Sequence, residues 1–196
     1  MQSMSLADEI RRCRLCAGQF RATATGHAPR PVVWFDPAAR ILVAGQAPGR
    51  RVHETGLPFN DRSGDRLRDW MGLDRAQFYD RSRLAIVSMA FCFPGYDAHG
   101  RDLPPPKICA ATWRERVMAT LPNIALTLLV GGSAHNWHLG RKARVADTVA
   151  AWHSLPPGVM ALPHPSWRNT DWLRKNPWFA ARLLPVLRTR VAEALR

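Results

Sequence analysis

Residues 41–49 read ILVAGQAPG, four consecutive apolar residues followed by a loop that contains two glycines and a proline. A short, continuous apolar run is typical of a strand that is covered on both faces of a sheet. Gly45 and Gly49 allow the backbone to approach a ligand closely, and Pro48 fixes the turn between them. This stretch therefore predicts a buried strand that ends in a ligand-binding loop.

A second stretch far downstream has the same arrangement. Residues 158–163, GVMALP, form another apolar run, and residues 164–169, HPSWRN, follow it as a polar loop. In an open parallel sheet, the loops that leave the carboxyl ends of the strands meet at one edge, and ligands bind there. The two loops can therefore share one pocket although they are distant in sequence.

The rest of the chain alternates between apolar runs and segments of helical periodicity. The predicted strands are 41–44, 84–89, 125–131 and 159–162, and the predicted helices are 64–71, 112–121, 145–152 and 178–195. This order predicts an α/β protein, a three-layer α/β/α sandwich with a short parallel central sheet of about four strands. A length of 196 residues suits a single domain spanning 1–196.

The chain is strongly basic, with 28 Lys and Arg residues against 15 Asp and Glu residues and a formal net charge of +13. Arginine provides nearly all of this charge, and its planar fork suits phosphate contacts. The balance favours DNA or another polyanion as the partner; an arginine bias from GC-rich coding sequence is the alternative. No apolar run approaches the roughly 20 residues of a membrane span, and no signal-peptide pattern begins the chain, so we expect a cytoplasmic protein. We also expect it to be a monomer.

Four cysteines occur, Cys13, Cys16, Cys92 and Cys109. Because disulfides are rare in the cytoplasm, metal binding is the competing prediction. Zinc and a [4Fe-4S] cluster both accept four thiolates, and the wide separation of the second pair favours the cluster. Buried reduced thiols without a metal remain an alternative.

Together these motifs resemble the uracil-DNA glycosylase superfamily, most closely its iron–sulfur bacterial and archaeal families numbered four and five. The resemblance runs through the cysteines, residues 45–49, residues 57–61 (LPFND) and residues 164–169. It implies a monofunctional glycosylase of base excision repair that hydrolyses the N-glycosidic bond of uracil in single- or double-stranded DNA and leaves an abasic site. In families four and five the cluster is structural.

The resemblance also implies roles for residues around the first motif. The loop that includes Ala47 binds the flipped base and holds the attacking water, and Phe59 stacks on the base. Asp61 polarises the water or stabilises the sugar cation, and a helix N-cap is its alternative role. Family four has a glutamate where this chain has Gln46, which cannot act as a base but can donate and accept hydrogen bonds. Asn60 is a second candidate for contact with the base or water.

His164 of the second motif is expected to donate a hydrogen bond to the departing uracil oxygen, where negative charge develops. The residues after it would contact DNA. Ser166 and nearby amides would hold phosphates, and Trp167 and Arg168 would wedge or stack in the gap left by the flipped nucleotide. Asn169 is a further residue expected to bind DNA.

Ser88 stands where the superfamily usually has an asparagine that reads the uracil edge. This departure leaves open a glycosylase for another deaminated base, hypoxanthine or xanthine. Gln46 in place of the family-four glutamate leaves open a second alternative, a non-catalytic protein that binds uracil or abasic sites in DNA.

Overall fold

The computed structural model describes residues 4–196. Its centre is a sheet of four parallel strands in the order β2-β1-β3-β4. The strands are β1 (Ile41–Ala44), β2 (Leu84–Ile86), β3 (Leu126–Val130) and β4 (Val159–Leu162). The predicted short parallel sheet is confirmed, and β1 and β4 have the predicted bounds.

Ten α-helices surround the sheet within the described residues: α1 (Leu6–Arg11), α2 (Ala17–Arg21), α3 (Arg50–Thr55), α4 (Arg62–Met71), α5 (Arg75–Tyr79), α6 (Lys107–Ala119), α7 (Gly132–His138), α8 (Val145–Ala150), α9 (Thr170–Lys175) and α10 (Leu184–Ala194). Short 3-10 turns cover Trp152–Ser154 and Trp167–Asn169, and a π-helical turn, Phe179–Leu183, leads into α10. Pro185 lies at the start of α10, where its missing N–H is tolerated.

Alternate residues of β1 point into two separate cores. Ile41 and Val43 pack in a core that includes Leu187 of α10, whereas Leu42 packs in one that includes Val117 of α6. Both faces of the sheet are therefore covered by helices, which explains why the strands are continuously apolar. The α/β/α sandwich is confirmed.

The aromatic residues after the second motif pack in the interior. Phe179 is 1% exposed, and Trp172 and Trp178 contact it edge-on. These rings belong to the larger core, beside α10. Their basic neighbours Arg174 and Lys175 are exposed.

Hydrogen bonds continue past the strand ends and hold the loops together at the carboxyl edge. The N–H of Met89 donates to the carbonyl of Gly45 at 2.9 Å, and the N–H of Ala90 donates to that of Gln46 at 3.2 Å. The N–H of Gly131 likewise donates to the Leu162 carbonyl at 3.0 Å. These bonds bring the first motif beside the residues after β2.

Over residues 4–196, we find no helix with the length and apolarity needed to cross a membrane.

Candidate active site at the carboxyl edge of the sheet

The loops at the carboxyl edge enclose a cleft of about 910 Å³. Both sequence motifs contribute to its wall, as their positions after parallel strands predict. The predicted site residues that line it are Gln46, Ala47, Pro48, Gly49, Phe59, Asp61, Ser88, His164, Ser166, Trp167, Arg168 and Asn169. Gly45 and Asn60 do not line it, and Asn60 instead accepts a long hydrogen bond from Arg75 at 3.5 Å.

Gly45 lies directly behind the lining residues. A Cβ atom at this position would be 3.1 Å from the Ser88 hydroxyl and 3.7 Å from the Phe59 ring. The absence of a side chain therefore lets Ser88 and Phe59 approach the first motif. Within residues 4–196 the Ser88 hydroxyl makes no hydrogen bond, so it is free for a ligand.

Phe59 is held in an unusual backbone conformation. Its φ of 51° is positive, which is uncommon for a residue other than glycine. The Tyr79 hydroxyl hydrogen-bonds toward its carbonyl at 3.2 Å, and Phe78 contacts its ring edge-on. A Cβ atom at Gly64 would lie only 1.7 Å from the same carbonyl, so the close approach requires glycine there. These contacts hold the unusual backbone conformation of Phe59 and so position the predicted stacking ring.

His164 is partly buried, and its ring is held by the loop that follows it. The backbone N–H of Ser166 donates to His164 Nδ1 at 3.2 Å. An Nδ1 that accepts a hydrogen bond carries no proton, so the neutral ring carries its proton on Nε2. Burial lowers the pKa of His164, and nearby Asp61 and Asp102 partly oppose this effect. The side chain is therefore a neutral N–H donor at neutral pH.

Asp61 has the structural role that the sequence offered as the alternative, and its carboxylate also lies at the cleft. It is the N-cap of α4 and accepts hydrogen bonds from the Gly64 N–H at 3.0 Å and from the Ser63 hydroxyl. Its carboxylate also lines the cleft, close enough to His164 to influence the pKa of that ring. Both hydrogen bonds use Oδ1, which leaves Oδ2 free of partners among the described residues.

The second motif continues into the 3-10 turn Trp167–Asn169, which we call the wedge turn. Trp167 is 76% exposed at the cleft. Asn169 has a local structural contact, because its amide donates to the His164 carbonyl at 2.7 Å. Trp167 and Arg168 are thus the exposed side chains of this turn, and their contact with DNA stays a prediction.

Four further charged residues line the cleft that were not predicted from the sequence. Arg51 lies on α3, Arg62 and Arg66 lie on α4, and Asp102 lies in the long loop before α6. Asp102 forms an ion pair of 3.5 Å with Arg168. The four-residue spacing of the arginines after the LPFND motif was a usable signal, since it places both on one helix face. Asp102 had no comparable signal.

The four cysteines converge on a second, small cavity on the α1–α6 side of the sheet. Cys13, Cys16, Cys92 and Cys109 all line it, between apolar side chains that include Phe20. Burial, reinforced by the neighbouring Cys109, raises the pKa of the Cys92 thiol to about 12. Burial likewise raises the pKa of Cys109 to about 11.

An all-sulfur donor set around one apolar cavity fits a group that binds four thiolates. In residues 4–196, however, no three Cys, His, Asp or Glu side chains are arranged as a ready-made metal site. The cysteine prediction therefore stays a prediction.

A histidine N–H donor and a carboxylate thus line one cleft at the carboxyl edge of a parallel α/β sandwich. Comparison with protein families identifies the class of protein. Residues 32–188 match the family described as the uracil DNA glycosylase superfamily, and the chain belongs to that superfamily. Its reaction is therefore that of a DNA glycosylase, a hydrolase of DNA repair that acts on DNA. Cys13 and Cys16 precede the matched region.

Proposed function

We propose that this protein removes uracil from DNA by hydrolysis of the N-glycosidic bond and leaves an abasic site. The observation that carries the proposal is the hydrogen bond from the Ser166 N–H to His164 Nδ1, which makes the ring an Nε2–H donor in the cleft. A uracil that leaves carries negative charge on its carbonyl oxygen. A donor fixed in advance at that oxygen lowers the barrier, by about 3–4 kcal/mol for one such donor in mutagenesis.

In this mechanism the flipped uracil stacks on Phe59 and its O2 accepts from His164 Nε2–H. The bond between C1′ and N1 breaks, and its electron pair leaves with uracil. Asp61 stabilises the positive sugar and takes a proton from the water whose oxygen bonds to C1′. The departing uracil anion takes a proton at N1 from solvent water, and Asp61 gives up its proton to solvent, which completes the hydrolysis and regenerates the carboxylate. Gln46, whose amide has no partner among the described residues, can hold the base or the water.

The reaction is proposed to stop at the abasic site. Cleavage of the strand by a bifunctional glycosylase needs an amine that forms a Schiff base with the sugar. The chain contains only Lys107, Lys142 and Lys175, and none of these three lines the cleft. This supports monofunctional chemistry.

A second candidate substrate is another deaminated base. Ser88 is shorter than the asparagine of the superfamily, and its hydroxyl is free of partners within residues 4–196. The smaller side chain leaves room in the cleft for a larger base such as hypoxanthine or xanthine.

The test uses oligonucleotides of one sequence that carry uracil, hypoxanthine or xanthine at a single position. Free base is measured by chromatography under single-turnover and multiple-turnover conditions. If uracil is released faster than the other two bases, the result supports the proposal. If hypoxanthine or xanthine is released faster than uracil, the result supports a deaminated purine as the substrate. Binding without release of any base would identify a non-catalytic protein.

We also propose that the four cysteines hold a structural [4Fe-4S] cluster, with zinc as the alternative. When bound, the cluster would supply covalent bonds that join the N-terminal segment to the loop after β2. Iron and acid-labile sulfide are measured in protein purified without oxygen, together with zinc and the visible spectrum. About four irons and four sulfides per chain support the cluster, and one zinc without iron contradicts it. A Cys16→Ser variant should lower both the iron content and the melting temperature.

A further inference from the structure

Helix α4 carries two arginines into the cleft, and they differ in what they contact. Arg62 is exposed and has no hydrogen-bond or ion-pair partner within residues 4–196. Arg66 lies one turn later on the same face and is partly buried. Its Nη1 donates to the Ser166 carbonyl at 3.0 Å, and its Nη2 donates to the Thr170 hydroxyl at 3.3 Å.

The two acceptors of Arg66 bracket the wedge turn, since Ser166 precedes it and Thr170 follows it. Ser166 is also the residue whose N–H orients the His164 ring. Arg66 therefore holds the loop that aims the proposed leaving-group donor. The same helix begins at Asp61, its N-cap, so one rigid element carries both Asp61 and the clamp on the His164 loop.

We propose that Arg66 is a positioning residue that sets the separation between Asp61 and His164 and fixes the wedge turn, whereas Arg62 binds a DNA phosphate. This inference rests on the proposed function. Asp61 and His164 must reach opposite sides of the breaking bond at the same time, yet they belong to segments distant in sequence. A displacement of about 1 Å in such an arrangement can cost about 100-fold in rate. A guanidinium can hold two acceptors in fixed geometry, which a lysine ammonium does not reproduce.

The experiment compares Arg66→Ala, Arg66→Lys and Arg62→Ala in single-turnover uracil release. For each variant, the maximal rate, the half-saturating enzyme concentration and the salt dependence of DNA binding are measured. Arg188→Ala is the matched control, because Arg188 donates to the Asp69 carbonyl at 2.9 Å near the other end of α4, away from the cleft. This control reports the effect of loosening the helix alone.

We expect Arg66→Ala to lower the maximal rate by about 10- to 100-fold. The salt slope, which is the slope of log K for DNA binding against log[salt], should be unchanged. Arg66→Lys should recover part of this loss. Arg62→Ala should show the opposite division: weaker binding and a salt slope smaller by about 1, with a much smaller effect on the maximal rate. Arg188→Ala should lower the melting temperature and keep the maximal rate within about two-fold.

The inference is overturned if Arg66→Ala reduces the salt slope and spares the maximal rate, because Arg66 would then be another phosphate ligand. It is also overturned if Arg188→Ala lowers the maximal rate as much as Arg66→Ala, because general loosening of α4 would explain both.

A readout independent of activity separates this inference from the proposed function. Nitrogen-15 NMR of the histidine rings, with the His164 signals assigned by loss in His164→Gln, reports whether Nδ1 accepts a hydrogen bond. Arg66→Ala should shift the His164 signals or mix its tautomers, and Arg62→Ala should not. If the wild-type protein releases no uracil while this shift is seen, the proposed function fails and the positioning role stands. An unchanged His164 signal in Arg66→Ala contradicts the positioning role.

Discussion

The backbone N–H of Ser166 lies 3.2 Å from Nδ1 of His164 and donates a hydrogen bond to it. The bond fixes the ring orientation and leaves the proton on Nε2. Protonation of Nδ1 would place two N–H donors against each other, so the loop itself opposes the imidazolium form. Burial acts in the same direction by lowering the pKa of His164. The geometry and the electrostatics therefore both favour a neutral donor.

The first prediction concerns the pH dependence of the maximal rate of uracil release. Since the pKa of His164 is lowered from its usual 6.5, the neutral donor persists at and above pH 6.5. The rate should be flat from pH 7 to pH 9 and should fall at acid pH, as the proton enters Nδ1 and displaces the Ser166 N–H. Single-turnover kinetics in buffers of constant ionic strength measure this. A rate that rises as the pH falls from 7 would indicate a cationic donor and contradict the neutral one.

The second prediction separates the capping role of Asp61 from its proposed role in base release. Asn keeps an oxygen that can cap α4 but loses the charge and basicity, so Asp61→Asn should slow base release by about 100- to 10,000-fold with little change in melting temperature. Asp61→Ala loses both roles and should in addition destabilise the protein by about 1 kcal/mol. Single-turnover rates and urea unfolding measure the two effects. If Asp61→Asn releases uracil at the wild-type rate, the carboxylate is only a cap.

The third prediction concerns Gly64. A Cβ atom there would meet the Phe59 carbonyl at 1.7 Å, so Gly64→Ala must displace the strained backbone that carries the stacking ring. We expect a destabilisation of about 1–3 kcal/mol and a loss of uracil release. Gly18→Ala is the control, because Gly18 lies on α2 with nothing within 4 Å of the new Cβ atom. It should leave stability unchanged or raise it. Equal behaviour of the two variants in unfolding and base release would contradict this account of Phe59.

The fourth prediction concerns stability in acid. Arg114 is 1% exposed, donates to the Val87 carbonyl, and hydrogen-bonds to His138 Nε2. Burial and the Arg114 charge lower the pKa of His138 to about 3. In the unfolded chain His138 binds a proton near pH 6.5, whereas in the folded chain it does not. The stability that neutral His138 contributes is therefore fully present above pH 6.5 and is lost as the pH falls toward 3.

The loss from this one histidine approaches about 1.4 kcal/mol per pH unit. His138→Gln keeps an acceptor for Arg114 and removes the titration. Its free energy of unfolding should therefore decline less steeply than that of the wild type between pH 6 and pH 4.5. Urea unfolding of both proteins measures the difference between the slopes. Parallel slopes would show that His138 does not titrate as described.

The sequence predicted the sheet well because its strands are buried on both faces. β1 and β4 have the predicted bounds, whereas β2 ends at Ile86 and not at residue 89. Beyond Ile86 the backbone still forms hydrogen bonds to the first motif, but in a loop that borders the cleft. Helix α6 begins at Lys107, ahead of the predicted start at residue 112. Its first turn was not predicted because it lacks the apolar period that indicates a helix. Helices of five to seven residues, such as α3 and α5, are too short for that period.

The residues that line the cleft were predictable where a motif contains them, and not where contacts join distant segments. Phe59, Asp61 and His164 were found from their motifs, and all three line one cleft. The bond from Arg66 to Ser166 joins residues that are 100 positions apart. Such a pairing depends on the packing of α4 against the second motif, and no local sequence pattern indicates that packing.

The most direct test of the central claim is a time course on a labelled single-stranded oligonucleotide that holds one uracil, with and without alkali. We predict strand breaks at the uracil position only after alkali, formed by the wild-type protein and slowed by about 100- to 1000-fold in His164→Ala, with DNA binding retained. Breaks that form without alkali would show lyase chemistry. Tight binding with no alkali-sensitive site, or a His164→Ala rate equal to that of the wild type, would contradict the account.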